Sequence, residues 1–261
     1  MDFQLKGKTA LVAASSQGLG KAIAEALVKE GANVMITSRN EAKLQEVRSE
    51  LSGLQKGRVS SITGDITNPS DIEKMVKQTV QEFGGIDILI NNAGGPPAGA
   101  FEEITDDEWQ NSFELNLFSY IRLIRQALPY LKKNGGKIIN IASSSIKEPI
   151  PGLILSNTFR TAIVGMSKTL ASELAPYNIL INTVAPGRIA TDRVRHLDEV
   201  NANKAGVSIE QMEEKVKGQI PLGRYGAPEE FANVVAFLVS DANTYMTGSS
   251  FLVDGGMVKS I

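Results

Sequence analysis

The chain contains no cysteine and only one histidine among its 261 residues. Without cysteine it can form no disulfide, thiolate nucleophile or cysteine-ligated metal site. A single histidine, with carboxylates that show no ligand-like clustering, gives no reason to expect a zinc site. No hydrophobic run approaches the ~18 residues that a membrane-spanning helix needs. Metal-centred, thiol-based and membrane-spanning functions are therefore not expected.

Strong net charge is missing as well, since the formal net charge is -2. The chain thus has no basic field to attract nucleic acid and no polybasic patch for anionic lipid. Residues 1–6 carry no apolar targeting core, so we expect a cytoplasmic protein. A chain of 261 residues can bury enough surface for one large domain, which we expect to span residues 1–261.

Apolar segments of strand length alternate along the chain with segments of helical periodicity, which indicates parallel βαβ units. Strands are predicted at residues 10–14, 33–37, 59–63, 86–90, 137–141, 179–184 and 250–253. Helices are predicted at residues 19–30, 41–54, 69–83, 106–130, 155–174 and 228–239. The pattern predicts an α/β protein built on a parallel sheet.

Residues 188–218 differ from the rest because polar and charged side chains dominate there. Ser208 and Gln211 have the spacing of a capping box, which predicts one short helix in an otherwise irregular segment. A long polar segment without a core strand is typical of an active-site lid. We therefore predict a substrate lid over residues 188–218.

The turn at residues 15–20 leads from the first strand into the first helix and contains Gly18 and Gly20. Such a turn directs unpaired backbone N–H groups and the positive end of the helix dipole towards one point. Glycine lets the backbone approach a phosphate closely. Alone, the motif is also compatible with an ordinary strand-to-helix turn. Together with the features below it predicts a pyrophosphate site for a dinucleotide.

The segment after the second strand, residues 37–40, has no carboxylate to bind the adenosine ribose hydroxyls of NAD. Arg39 can instead meet a 2′-phosphate as a forked donor, which favours NADP(H) over NAD(H), although NAD(H) stays possible. A solvated surface arginine is the alternative interpretation. Asp65, after the third strand, can accept from the adenine amino group. Residues 91–94 form a small, amide-rich turn suited to packing against a cofactor.

These motifs together resemble the short-chain dehydrogenase/reductase family, in particular its 3-oxoacyl-carrier-protein reductase-like branch. The resemblance covers nearly the whole chain and rests on the glycine turn, Asp65-Ile66, residues 91–94, Pro186-Gly187 and residues 253–256. It implies a Rossmann-type doubly wound three-layer sandwich with a seven-stranded parallel sheet. It also implies a nicotinamide cofactor and a homo-oligomer, either a tetramer or a dimer.

The motifs and the resemblance together give a set of expected cofactor contacts. The set comprises Ala14, Ser16, Gln17, Gly18, Leu19, Gly20, Ser38, Arg39, Asp65, Ile66, Asn92, Ala93, Gly94, Arg160, Pro186, Gly187, Ile189 and Thr191. The resemblance places Asn92 on the adenosine side, and it places the members of the set from Pro186 to Thr191 at the nicotinamide end.

The family's reaction uses an asparagine, a serine, a tyrosine and a lysine, and the resemblance maps them onto four positions. Asn116 and Ser143 match the asparagine and the serine, whereas Ser156 and Arg160 stand where the tyrosine and the lysine are expected. A serine hydroxyl is a far weaker acid than a phenol, and an arginine stays charged and cannot relay protons. The resemblance thus implies an atypical site, in which Ala14 also replaces the first glycine of the turn.

The substrate is expected to contact Ser143, Ser145, Ile150, Ser156 and His196. The serine hydroxyls can bind an oxyanion or a water, and His196, in the lid segment, can in principle donate a proton. The tyrosines on the predicted helices, Tyr120 among them, are interpreted as core or rim packing.

The leading hypothesis is an atypical NADP(H)-dependent oxidoreductase that reduces a carbonyl or activated alkene of a small or acyl-chain substrate. Its partners would then be a small-molecule substrate and further copies of itself, with no nucleic acid and no membrane. One alternative is a catalytically silent NAD(P)-binding protein that acts as a partner or sensor. Another is a non-redox enzyme on the same scaffold, such as an epimerase or lyase, for which the sequence offers no base.

Overall fold

The strands form one parallel sheet in a computed structural model that describes residues 3–260. Met1, Asp2 and Ile261, which belong to the predicted domain, lie outside the described residues. The strands are β1 (Thr9–Val12), β2 (Asn33–Ser38), β3 (Val59–Thr63), β4 (Ile88–Asn91), β5 (Gly136–Ile141), β6 (Ile179–Pro186) and β7 (Ser250–Val253). Their order in the sheet is β3-β2-β1-β4-β5-β6-β7, and every neighbouring pair is parallel.

Helices cover both faces of this sheet. They are α1 (Gly18–Lys29), α2 (Glu41–Ser52), α3 (Pro69–Phe83), α4 (Asp106–Phe113), α5 (Ser119–Asn134), α6 (Ile154–Leu174), α7 (Asp192–Ala205), α8 (Ile209–Lys217) and α9 (Pro228–Val239). The helices α1, α2 and α9 bury their apolar residues against one face, and α3, α5 and α6 against the other. The three-layer, doubly wound Rossmann-type fold predicted from the sequence is confirmed.

Burial on both faces explains why the strands are continuously apolar. In β1, Ala10 and Val12 join the core under α1, whereas Leu11 joins the opposite core under α3 and α5. Alternate side chains of a strand point to opposite faces, so both sets must be apolar when both faces are covered.

The strand order reverses between β1 and β4, which pair directly with each other. The chain builds outward from β1 through β2 to β3, and then crosses back to start the other half at β4. In open α/β sheets, ligands bind in the crevice outside the carboxyl ends of the strands at this reversal. The fold therefore indicates a ligand site at the loops that follow β1, β2 and β4.

Side-chain caps begin several helices. The Asn40 side chain accepts a hydrogen bond from the backbone N–H of Lys43, and the Thr105–Glu108 pair forms a capping box at α4. Ser208 and Gln211 form the predicted capping box at α8. The start of α1 differs, because its first residue is preceded by Gln17, whose side chain makes no capping hydrogen bond.

Two segments depart from the sequence prediction. The long helix predicted at residues 106–130 is broken by a π-helical turn, Glu114–Phe118, and then continues to Asn134. The segment predicted as mostly irregular contains α7, whose start is capped by Thr191. The prediction rested on the polar composition of this segment, whereas the structure forms a helix that buries Asp198 and Ala202. No helix in the described part of the chain is long and apolar enough to cross a membrane.

Candidate active site

A cavity of about 820 Å³ opens at the carboxyl ends of the central strands. Its wall is built from the loops after β1, β2, β3, β4 and β6, together with Leu115 of the π-helical turn. All of the expected cofactor contacts except Gly20 and Arg160 line this cavity. The volume falls within the range of small-molecule and cofactor sites.

The glycine turn forms one end of the cavity wall. Gly18 has a positive φ of 56°, and a Cβ built there would meet only the Thr191 side chain, at 3.8 Å or more. Gly20 lies behind the turn, where a Cβ would come within 2.3 Å of the carbonyl oxygen of Ala14. The structure therefore places Gly20 where helix α1 contacts the loop after β1, and it leaves the outer side of the turn open at Gly18.

Ala14 occupies a left-handed conformation with φ 48°. Such a conformation costs an L-residue with a Cβ about 1–2 kcal/mol, which is why glycine is usual there. The conformation is held by hydrogen bonds on both sides: the backbone N–H donates to the Thr37 hydroxyl at 3.3 Å, and the carbonyl accepts from Asn92 Nδ2 at 3.1 Å. These hydrogen bonds thus hold Ala14 in a backbone conformation that glycine adopts more readily.

The cavity wall after β2 carries two cationic side chains. Arg39 is 74% exposed, and its nearest acid is Asp65, whose Oδ2 lies 3.7 Å from Nη1. Lys43, in the first turn of α2, lines the same wall and donates from Nζ to Gln17 Oε1 at 3.1 Å. Sequence reasoning missed Lys43, which follows the α2 cap Asn40 by three residues.

Asn116 lies in the π-helical turn between α4 and α5 and is fully buried. Its Nδ2 donates to the carbonyl oxygen of Gly94 at 2.7 Å, and its Oδ1 has no hydrogen-bond partner within residues 3–260. Isolated π-helical turns occur often at functional sites. A buried acceptor without a partner points to a bound group such as a water or a ligand hydroxyl.

Two of the predicted serines lie in the short turn after β5. Ser143 is half-buried, and its Oγ accepts a hydrogen bond from the backbone N–H of Ser145 at 3.2 Å. Ser145 is buried, and its own Oγ has no partner among the described residues. The Ser143 oxygen is thus already an acceptor, so the proton of its hydroxyl is free to be donated.

Ser156 lies in the first turn of α6, half-buried and without a hydrogen bond to the described residues. The Ile150 backbone is tied to the same helix, because its N–H and carbonyl both bond the Asn157 side chain, at 3.3 and 3.0 Å. The helix α6 packs on the turn that holds Ser143. None of the residues expected to contact the substrate lines the 820 Å³ cavity itself.

Arg160 departs from its expected position at the cofactor. It is buried, with 4% of its surface exposed, and does not line the cavity. Its Nη1 donates to the carbonyl oxygen of Ile141 at 2.7 Å and to the Tyr120 hydroxyl at 2.9 Å, and its Nη2 to the carbonyl of Ala93 at 3.4 Å. The guanidinium is thus directed into the protein, at the ends of β4 and β5.

Tyr120 lies next to Arg160 and was expected to be plain packing. Its hydroxyl donates to the carbonyl oxygen of Ile141 at 3.0 Å, so its proton is already engaged. Burial raises the pKa of the Tyr120 phenol, and the neighbouring charge of Arg160 opposes this only in part. The Tyr120 phenol is therefore not placed to release a proton, although it lies beside Arg160.

The remaining candidate proton donors lie elsewhere. The His196 side chain is 65% exposed on α7 and 3.8 Å from Glu199 Oε2, and it does not line the cavity. The Tyr225 hydroxyl donates to the buried Asp198 at 2.8 Å, and burial together with that carboxylate raises the pKa of the phenol. No group of metal-ligating side chains exists among the described residues.

Several cavity residues were not predicted from the sequence. They are Thr37, Asn40, Glu41, Lys43, Gly64, Gly95, Leu115, Asp192, Arg193 and Val194. Half of them directly precede or follow a predicted contact, and this adjacency was the available signal. Arg193 and Val194 had no such signal, because the helix that presents them was not predicted.

A doubly wound parallel sheet with a glycine-containing first turn and a crevice at the strand reversal defines a dinucleotide-binding class of α/β protein. The chain belongs to the short-chain dehydrogenase/reductase family, since residues 13–258 match the family model described as enoyl-(acyl carrier protein) reductase.

Proteins of similar sequence match this chain over all or nearly all of its length. An uncharacterized oxidoreductase of Bacillus subtilis (strain 168), YvrD, is 35% identical over all of both chains. The 3-oxoacyl-[acyl-carrier-protein] reductase FabG of Vibrio cholerae is 37% identical over 98% of this chain and 99% of its own.

Solved structures of other proteins also match this chain over all or nearly all of its length. L-sorbose reductase of Gluconobacter frateurii, complexed with NADPH and L-sorbose, matches all of both chains with a TM-score of 0.95 and 34% identity. An actinorhodin polyketide ketoreductase with NADPH matches 96% of this chain and 97% of its own, with a TM-score of 0.92 and 32% identity.

Proposed function

We propose that the chain is an NADP(H)-dependent oxidoreductase that reduces a carbonyl or activated alkene of a small or acyl-chain substrate. The observation that carries the cofactor preference is the wall after β2, where Arg39 and Lys43 line the cavity and residues 37–40 offer no carboxylate. Two cations there suit a 2′-phosphate. The similar reductases whose structures contain NADPH support the same cofactor.

The glycine turn fits the rest of such a cofactor. The N-terminus of α1 lacks a side-chain cap, so its first backbone N–H groups are available to a pyrophosphate. Gly18 adds no side chain in front of them. When bound, NADPH would supply a hydride to the substrate. The tasks of this chain are then to hold the cofactor and orient the substrate beside it.

The substrate oxygen is assigned to Ser143 and Asn116. Because Ser143 Oγ accepts from the backbone N–H of Ser145, its hydroxyl proton can be donated to a carbonyl oxygen. Asn116 is fixed through Gly94, which lines the cavity, and its free Oδ1 can accept from a water or a substrate hydroxyl. Both side chains position and polarise the substrate, and neither needs to change its charge.

The proton is assigned to water rather than to a side chain. Ser156 lines the substrate pocket in this proposal but is a poor acid. Arg160 acts as a positioning residue, because its bonds to the carbonyls of Ala93 and Ile141 hold the ends of β4 and β5. General acid catalysis contributes roughly 10²–10⁴ in rate, so without a phenol we expect a slow reductase.

We also assign α7 and α8 to a substrate lid over residues 188–218. The buried Asp198 anchors α7 by an ion pair with Arg188 at 2.9 Å and by the hydrogen bond from Tyr225. These contacts tie α7 to the first residue of the lid segment and to the chain that follows the lid. The start of α7 borders the cavity through Thr191 and Val194.

A second candidate is a catalytically silent NAD(P)-binding protein. The observation in its favour is the burial of Arg160, whose guanidinium is occupied by three acceptors inside the protein. In this alternative the cofactor binds but no proton reaches the substrate. The two candidates share the cofactor site and differ only in turnover.

A panel of ketones, 3-oxoacyl thioesters and enoyl thioesters tests the proposal, with loss of NADPH absorbance as the readout. The variant Ser156→Tyr, alone and with Arg160→Lys, is compared with Thr158→Tyr, a change at an exposed position of the same helix. Slow turnover by the parent that Ser156→Tyr accelerates supports the proposed reductase, whereas turnover that Ser156→Tyr does not accelerate would show that the parent site has its own proton donor. No turnover by the parent, with activity created by Ser156→Tyr, supports the silent binder.

A further inference from the structure

Arg193 places a guanidinium at the wall of the cavity, in the first turn of α7. Its Nη2 donates to the carbonyl oxygen of Pro96 at 2.8 Å. Its head lies against Gly95, where a Cβ would come within 2.9 Å of Nη2. The absence of a side chain at Gly95 thus lets the guanidinium lie on the loop after β4, while the residue as a whole remains exposed to solvent.

The same loop is contacted by the residues of the candidate active site. Asn116 bonds the carbonyl of Gly94, Arg160 bonds the carbonyl of Ala93, and Arg193 bonds the carbonyl of Pro96. Residues 93–96 of one short loop therefore connect the three side chains. Arg193 consequently lies where the candidate active-site residues Asn116 and Arg160 contact the cavity wall, the end at which the proposed reduction takes place.

Neither arginine at this end is paired with an acid. Arg160 and Arg193 form no ion pair with a carboxylate within the described ranges, and both bond only neutral acceptors. Partial burial and the positive charge of Arg160 both lower the pKa of the Arg193 guanidinium. Asp192 also lines the cavity but forms no ion pair with Arg193. Positive charge at this end is therefore uncompensated.

We propose that Arg193 binds an anionic group of the substrate, a carboxylate or a phosphate, next to the carbonyl that is reduced. A guanidinium matches the geometry of both groups with paired N–H donors. Its bond to Pro96 uses Nη2 and leaves further donors free. The substrate class is then an oxo acid or a phosphorylated ketone, in preference to a neutral sugar or an esterified acyl chain. This inference rests on the proposed reductase function.

Calorimetric titration of the full chain, with and without saturating NADP⁺, tests this proposal. The oxidised cofactor prevents reduction during the measurement. The probes are two matched pairs, acetoacetate with methyl acetoacetate and dihydroxyacetone phosphate with dihydroxyacetone. The variants are Arg193→Gln and Arg193→Lys. The control is Arg195→Gln, a neighbouring exposed arginine of α7 that pairs with Glu199 and does not line the cavity.

We expect one anionic probe to bind more tightly than its neutral partner, and the pair that shows this identifies carboxylate or phosphate as the group. Arg193→Gln should weaken that binding at least about tenfold, Arg193→Lys less, and Arg195→Gln not measurably. Affinity for NADP⁺ should be the same in all variants. Equal binding of acid and neutral probes would overturn the proposal. Loss of NADP⁺ affinity in Arg193→Gln would assign the arginine to the cofactor instead.

The proposed function fails by a different result, namely no binding of NADP⁺ by the parent chain. In that case the titration without cofactor still tests the role of Arg193. If the chain binds an anionic probe and Arg193→Gln weakens that binding, the proposed anion site is supported. If no such binding is measured, the proposed anion site is refuted.

Discussion

Arg160 donates a hydrogen bond to the Tyr120 hydroxyl at 2.9 Å, and both side chains donate to the carbonyl oxygen of Ile141. The forked guanidinium reaches a phenol and two carbonyls from a buried position, which a single ammonium does less well. Arg160 and Tyr120 therefore form a fixed hydrogen-bond network. The network joins the ends of β4 and β5, and neither side chain lines the cavity itself.

Tyr120→Phe should lower the free energy of unfolding by about 1–2 kcal/mol, because the change leaves a buried carbonyl and a guanidinium with one partner fewer. It should not change the pH profile of reductase activity, since the Tyr120 proton is engaged with Ile141. Urea unfolding and initial rates measure the two effects. Tyr130→Phe is the control on the same helix, because the Tyr130 hydroxyl makes no hydrogen bond within residues 3–260. A pH profile altered by Tyr120→Phe would identify it as the missing acid.

Ala14→Gly should raise the free energy of unfolding by about 0.5–1 kcal/mol. Ala14 has φ 48°, where a Cβ is strained, and glycine removes the strain while gaining some entropy in the unfolded chain. Ala13→Gly is the control, since Ala13 is buried in the core and should lose stability. Thermal and urea unfolding of both variants provide the test. Destabilisation by Ala14→Gly would show that the methyl group contributes packing that outweighs the strain.

The sequence was sufficient to predict the strands, most helices and the cavity wall, because these follow from short-range patterns. Continuous apolar runs are required by burial on both faces, and Asn40, Thr105 and Ser208 mark helix starts by their capping geometry. Residues directly after each strand had to meet at one edge of a parallel sheet. Arg39 and Asp65 were therefore predictable as cavity residues.

The side chains that meet across long sequence distances were not predictable in this way. The sequence predicted that Arg160 lies in the helix α6. It could not predict that Arg160 contacts Tyr120 and Ala93, because these contacts depend on tertiary packing. The helix α7 was missed because most of its residues are polar, and its buried contacts are the Arg188–Asp198 ion pair and the packing of Ala202 against α8. Arg193 was missed with it. The polar network around Asp198 had no periodic signal in the sequence.

The Tyr225–Asp198 hydrogen bond should make the free energy of unfolding decrease at alkaline pH. The folded state raises the pKa of the Tyr225 phenol above its usual value of 10.0, through burial and the hydrogen bond to Asp198. The unfolded chain therefore loses this proton first, and the contribution is complete below about pH 10 and falls as the pH rises further. Tyr225→Phe should cost about 1–2 kcal/mol at neutral pH and flatten the alkaline decline.

Urea unfolding across this pH range measures the effect of Tyr225→Phe. Tyr245→Phe is the control, because Tyr245 is 95% exposed. An alkaline slope that is the same in Tyr225→Phe and in the parent would contradict the assignment.

The central claim, a cavity built for a phosphorylated nicotinamide dinucleotide, is tested most directly by fluorescence titration with NADPH and NADH. The variants are Arg39→Ala and Lys43→Ala, with Arg48→Ala as a control on the exposed side of α2. The account predicts tighter binding of NADPH by the parent. It also predicts a loss of roughly tenfold in NADPH affinity for Arg39→Ala, a smaller loss for Lys43→Ala and little change for NADH. Equal losses for both cofactors, or no binding of either at millimolar concentration, would contradict it.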